Sequence, residues 1–243
     1  YDEATPGGAG QVIETVLAHS TARIDWPRMR GARDWLDRSR LAGVIDDEVT
    51  PWEWVSDNVL PLLSASVVTG RDGIYLAPYH PDGDPLCTLI DGIDIVLADE
   101  VRISQAPVIN ELRINYARSD WERQHARSVS CDSSTSAYAA ISRQVYGRHS
   151  TAIKTDIVYD TATADLIARE KVRAHAFAPR LFRGTMRRAD WAHLRAGDKV
   201  AITSTALSLV ALECTVTAIT IDGGALIGVE LAALEDPIRT GYN

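Results

Sequence analysis

The sequence predicts an α+β fold: a helix-containing N-terminal unit followed by a small β-barrel-like domain that carries two helices. Three observations predict it. Apolar residues recur at helical spacing early in the chain, as in Val12, Ile13, Val16 and Leu17. Further on they alternate singly, as in Leu112, Ile114 and Tyr116 between Glu111, Arg113 and Asn115. Charge is also uneven, with 8 basic and 18 acidic residues in 1–110 (−10) against 17 and 15 in 111–243 (+2). Pro107 holds Ala106 extended and marks a boundary there. The expected division is a linker over 1–9, a helix-containing domain over 10–107, a barrel-like domain over 108–236 and a tail over 237–243.

The elements follow in order. Gly10 to His19 is a helix by its apolar stripe. Met29 to Leu41 is a second, with Trp35, Leu36 and Leu41 on the buried face and Gly43 just past its end. Thr50-Pro51-Trp52-Glu53 starts a third, with Thr as N-cap, Pro at the first helical position and Glu three residues after the cap. Pro61 shortens it. Val67-Val68-Thr69 and Ile74-Tyr75-Leu76 flank Gly70-Arg71-Asp72-Gly73 as a hairpin, and residues 80–85 form a loop. Short apolar runs between Leu86 and Ile103 are strands whose register the sequence does not fix. The strand from Asn110 to Tyr116 opens the second domain. A short helix then spans Ser133 to Val145, closed by Tyr146-Gly147, and Ile153 and Ile157 flank a strand. Asp160 or Thr161 caps a longer helix that runs to about Phe177. Ala196-Gly197-Asp198 turns into a strand carrying Val200 and Ile202. Leu212, Cys214 and Val216 share one parity and Ile219 and Ile221 the other, which predicts a β-bulge near Ala218. Asp222-Gly223-Gly224 then turns the chain into a strand with Ile227, Val229 and Leu231.

Composition excludes several classes. At 243 residues, 46% hydrophobic and 24% charged, the chain is neither disordered nor of low complexity. A net charge of −8 argues against a general nucleic-acid binder. No apolar run reaches the ~20 residues of a membrane helix, so no membrane insertion is expected. Cys87, Cys131 and Cys214 are too few and too far apart for a disulfide framework or a zinc site, and read as small buried side chains in a reducing compartment. A chain that starts at Tyr1, without Met or a signal pattern, is expected to be a piece of something longer.

Few residues converge on chemistry. Asp46-Asp47-Glu48 matches no calcium loop and reads as a solvated turn; Asp91, Asp94, Asp99 and Glu100 are scattered. His19, His80, His125, His149, His175 and His193 show no i, i+4 pair of a helical zinc motif. Ser130, Ser133, Ser134 and Ser136 lie in no Gly-x-Ser-x-Gly elbow and read as capping residues. Nothing selects a glycosidase pair among Glu14, Glu53 and Glu122. No catalytic, cofactor-binding or metal-binding residue is therefore assigned. Trp52 falls on an apolar stripe, whereas Trp54 lies off it, which favours an interface anchor over a sugar-stacking contact. Arg180, Arg183, Arg187 and Arg188 are the densest basic cluster. On a strand they form a polar barrel face or an ionic subunit contact, with phosphate contact the lesser reading. The interface candidates are Trp54, Arg183, Arg187 and Arg188.

The order of elements carries a family resemblance. It runs from a helical acidic unit through the strand Asn110–Tyr116 and the helix closed by Tyr146-Gly147. Then come Thr161-Ala162-Thr163-Ala164-Asp165-Leu166-Ile167-Ala168, and Leu194-Arg195-Ala196-Gly197-Asp198-Lys199-Val200-Ala201-Ile202-Thr203 entering a bulged hairpin. This resembles the hub or tail-tip proteins of long-tailed bacteriophages and of gene transfer agents, in a domain that continues the tail tube. The resemblance spans about residues 10–235 and implies a tube-type barrel, no enzyme activity and no cofactor. It also implies a ring of identical subunits, expected to be a homotrimer. The expected partners are distal tail, tube and fibre proteins at a virion tail tip, with DNA passing without specific binding. A tail-associated peptidoglycan hydrolase and a carbohydrate-binding adhesin module are the alternative readings.

Overall fold

The protein is described by a computed structural model that covers residues 7–42, 49–81, 83–119, 124–221 and 224–234. Gly43, the acidic run Asp46–Glu48, Glu122 and the Asp222-Gly223 turn lie outside the described residues. The chain starts with β1 (Gly7–Gly8) and α1 (Ala9–Leu17). The expected linker thus already holds structure: Gly7 and Gly8 pair with Leu41 and Arg40, and Ala9 is fully buried. The second expected helix is replaced by α2 (Trp26–Gly31), α3 (Arg33–Leu36) and β2 (Arg40–Leu41). The start moves upstream because Asp25 caps it, accepting from Arg28 N–H, with Pro27 in the first turn. The helix breaks at Ala32, whose ψ of −6° leaves the helical range.

Thr50 caps α4 (Pro51–Trp54) as expected, accepting from Glu53 N–H at 3.3 Å. A π-helical turn, Val55–Val59, continues it, and Leu60 N–H donates to Val55 O at 3.0 Å. The hairpin is present as β3 (Ala65–Gly70) and β4 (Gly73–Pro78). The strands that sequence could not register are β5 (Thr88–Ile90), β6 (Ile95–Leu97) and β7 (Arg102–Ile103). Next come β8 (Glu111–Ser119), β9 (Gln124–Cys131), α5 (Ala137–Tyr146), β10 (Ser150–Lys154) and α6 (Thr161–His175). Ser136 caps α5, Gly147 follows it at φ +80°, and Asp160 caps α6 by accepting from Thr163 N–H at 2.7 Å. The chain ends in β11 (Arg180–Arg187), α7 (Arg188–Trp191), β12 (Lys199–Ser204), β13 (Leu209–Thr220) and β14 (Leu226–Ala233).

The linear division gives way to an interleaved one. One compact unit combines 1–76 with 108–177, and the other combines 77–107 with 178–243. A break in packing does fall at Pro107, but the chain changes units there and returns at 178. Counted by unit, charge is 17 basic and 20 acidic (−3) in the first and 8 and 13 (−5) in the second. The −10/+2 contrast along the chain therefore does not separate the packed units.

In the first unit, the sheet β10–β8–β9 is parallel on one side and antiparallel on the other, and α6 packs against β8 and β9. Leu112, Ile114 and Tyr116 are buried as their alternation predicts, beside Ile13, Leu17, Leu36, Val55 and Val59 from the N-terminal elements. The Tyr116 hydroxyl meets Thr161 Oγ1 at 2.7 Å. A polar knot lies among these apolar residues. Asn110, 1% exposed, donates from Nδ2 to Gly147 O (2.7 Å) and Ser142 Oγ (3.2 Å) and accepts at Oδ1 from His149 N–H (2.7 Å). Buried Ser142 in turn donates to Ala176 O at 2.5 Å.

In the second unit the sheet runs β5-β12-β13-β14-β11-β6, with β7 beside β11. It encloses Leu89, Ile95, Phe182, Met186, Val200, Ile202, Cys214, Val216, Val229 and Leu231. The sheet curls until the turn after β5 meets β6 through an Asp91–Ile95 bridge and the hydrogen bond from Gly92 N–H to Ile95 O. There a side chain substitutes for a ladder: Asp91 Oδ1 accepts from Leu97 N–H (3.0 Å) and Oδ2 from the Ser204 hydroxyl (2.7 Å). Asp94 Oδ2 accepts from Ile90 N–H across the same turn. The predicted bulge is present. Val216 pairs with Leu231 and Ala218 with Glu230, so Thr217 is the extra residue, and its hydroxyl donates to Glu230 O at 3.1 Å.

Candidate interaction surface

The arginine cluster lies on a strand because β11 alternates. Phe182 and Met186 point into the barrel, leaving Arg183, Thr185 and Arg187 on the outer face. The strand ends at Arg187, and Arg188 opens α7. Register sets the neighbours: Arg183 faces Glu230, Thr185 lies between Val96 and Gly228, and Arg187 faces Leu226. These pairings separate the arginines into two kinds. Arg183 Nε is 2.7 Å from Glu230 Oε2, and Glu100 pairs with Arg102 at 2.9 Å nearby. The Arg102 hydrogen bond and charge hold the Glu100 carboxyl below its usual range, with Arg183 adding to the effect. Arg187 and Arg188 are exposed and have no ionic partner among the described residues.

Exposed apolar side chains flank this strand: Val96 (63% exposed) pairs with Thr185 and Leu226 (54%) with Arg187, while Ile93 (77%) and Ile221 (57%) are exposed in the turn before β6 and just past β13. Apolar side chains open to water, on the same strands as cations with no ionic partner among the described residues, offer both apolar area and positive charge at the surface. The sequence located the arginines. It did not show that Glu230 neutralises Arg183, since 47 residues separate the two.

Trp54 occupies a different place from that expected. Like Trp52 it is half-buried and packs on the core of the first unit, so the stripe argument that set the two apart does not describe their surroundings. The other polar candidates serve local structure. Glu14 is held by Arg30 and Arg33, each at 2.9 Å. Glu53 sits in the capped turn of α4, and Ser134 hydrogen-bonds Asp132. His125 Nε2 lies 2.9 Å from Asp156 Oδ1. No group of three or more His, Cys, Asp or Glu placed to hold a metal occurs among the described residues. Cys131 and Cys214 are buried and Cys87 is partly so. No described helix is long and apolar enough to cross a membrane.

One cation in the first unit is held against its preference. On α6, burial pulls the Lys171 ammonium down to about 8, and burial together with Lys171 lowers His175 below the ordinary histidine value. The folded chain therefore releases the Lys171 proton near pH 8, while the unfolded chain keeps it up to about 10.5. Between those values the unfolded state carries more protons, so stability rises with pH across the window. Lys171→Met is expected to remove that slope and to raise stability at neutral pH by about 2 kcal/mol. Urea unfolding of both proteins at pH ~7 and ~9.5 checks it, because the gap between the two should narrow by more than half at the higher pH.

No protein-family model matches the chain, and no curated protein does. Solved structures share its fold. One is a chain from the virion of a native gene transfer agent particle, 16% identical, with a TM-score of 0.61 over 97% of this chain and 49% of that one. Another is the tail protein from Neisseria meningitidis MC58, 11% identical, with a TM-score of 0.52 over 96% of this chain and 68% of that one. The fold is that of phage-type tail proteins. The chain spans about half the length of the gene transfer agent chain.

Proposed function

We propose that this chain is a structural component of a phage-type tail, a hub that links the tail tube to tip or fibre proteins and forms part of the DNA conduit. The observation that carries the reading is the extent of the fold match, which takes in both interleaved units over 97% of the chain and not the barrel alone. Its place is a virion tail tip, and its role there is non-enzymatic. Identical subunits close into a ring, as a homotrimer, through a heterologous contact in which one surface meets a different one. The apolar face around Arg187 and Arg188 is one half of that contact, and carboxylates of the neighbouring subunit are the other. Both units carry net negative charge, which disfavours adhesion of DNA during passage.

Charge reversal tests the contact. The double variant Arg187→Glu, Arg188→Glu is expected to keep its circular dichroism and Tm, because neither side chain has a partner within the described chain. It should lose self-association by analytical ultracentrifugation and incorporation into particles. Unchanged assembly removes this face from the interface. Incubation with purified cell wall tests the role itself: a hub releases nothing, whereas release abolished by one carboxylate substitution assigns a hydrolase.

A further inference from the structure

One buried hydroxyl in the first unit lacks a protein partner. Ser64 follows the π-helical turn and is 4% exposed, and its Oγ makes no hydrogen bond. Leaving such a group dry costs free energy, so buried hydroxyls are paired with protein or with water. Ser64 lines a cavity of ≈ 20 Å³. Beside Leu62 and Leu63, the walls come from distant parts of the sequence: Trp35 in α3, Arg38 and Ser39 just after it, and Leu166, Ile167 and Glu170 on α6. Ser39 is itself buried, at 8% exposed. About 10–15 Å³ is enough for one water molecule, which needs two to four polar neighbours. The cavity meets both conditions and is too small for an organic ligand.

We infer that a single ordered water molecule occupies this cavity, accepting a hydrogen bond from Ser64 Oγ and joining it to Ser39 and Glu170. The water links three segments: the turn into β2, the residues just before β3, and α6. It acts as a structural ligand of the first unit.

The sign of a mutational effect separates a wet cavity from a dry one. With the water in place, Ser64→Ala removes one of its anchors and lowers Tm. In a dry cavity the same change deletes an unsatisfied hydroxyl and raises Tm. Ser64→Ala and Ser39→Ala should also be less than additive when combined, since either one loosens the same molecule. A high-resolution crystal structure of the full chain should show a water within hydrogen-bonding distance of Ser64 Oγ, and this holds even if the variants fold poorly. An empty cavity, a raised or unchanged Tm for Ser64→Ala, or additive losses in the double variant overturns the inference.

Discussion

Asn110→Ala is expected to lower unfolding free energy by about 3 kcal/mol, read as a shift of the urea midpoint at constant slope. The side chain makes three hydrogen bonds at a position 1% exposed, and its partners come from the loop after α5 and from α5 itself. Its loss leaves Gly147 O and His149 N–H without those partners and takes away the donor to Ser142 Oγ. Ser142 remains tied to Ala176 O, so the damage extends toward the end of α6. Asn110→Asp should cost nearly as much, because a carboxylate cannot donate to Gly147 O and would be buried as a charge. Ser142→Ala should cost less on its own and show coupling with Asn110→Ala, since the two groups form one network. Full additivity would show that they act separately.

Gly73→Ala is the second large effect, again about 3 kcal/mol or more. Gly73 has φ +139°, a region alanine rarely adopts. A Cβ there would lie 2.6 Å from Arg23 O, 2.7 Å from Asp25 N and 2.8 Å from the Ile24 carbonyl carbon, all of them backbone atoms. The crowding arises because β4 runs against the segment before α2: Ile74 N–H donates to Arg23 O, and Asp25 N–H donates to Ile74 O. Adding a methyl therefore pushes those strands apart where neither can yield by rotating a side chain. Gly83→Ala is the control. Its φ is +84°, and nothing lies within 4 Å of the added Cβ, so it measures backbone strain alone, about 1 kcal/mol. Equal losses at the two positions would show that the clash at Gly73 is relieved.

Where periodicity or capping chemistry is local, sequence and structure agree. Thr50 caps the helix it was expected to cap, Asp160 is the cap of the two residues offered for α6, and the parity change after Val216 marks a bulge one residue from its predicted place; α5 starts at Ala137 and not at Ser133, because Ser136, one of four serines read as capping, is the one that accepts from Ala139 N–H. Strand β9 was missed because Gln124–Cys131 offers only Val129 and Cys131 as inward apolar residues; pairing with β8 and cover from α6 make it a strand, not its own pattern. The helix expected over Met29–Leu41 failed for a related reason, since its apolar stripe is shared among three short elements. Membership of the barrel was hidden further. Strands of two or three residues such as β5, β6 and β7 carry little periodic signal, and their partners lie beyond residue 178. Of the surface candidates, the cluster at Arg187 and Arg188 was legible by density, whereas the apolar residues that give it character come from three separate stretches.

The interleaving also sets an order in time. When the ribosome has made residues 77–107, it has delivered one flank of a barrel whose other strands do not yet exist. All of 108–177 must emerge before the first of them, β11, appears, and β12, which β5 pairs with, comes later still. During that interval Leu89, Ile95 and Leu97 wait without cover, while the first unit can finish packing. A nascent chain stopped before residue 178 therefore holds one foldable unit and one stranded fragment. Any truncation meant to isolate the barrel has to discard both 1–76 and 108–177 and join 77–107 directly to 178–243.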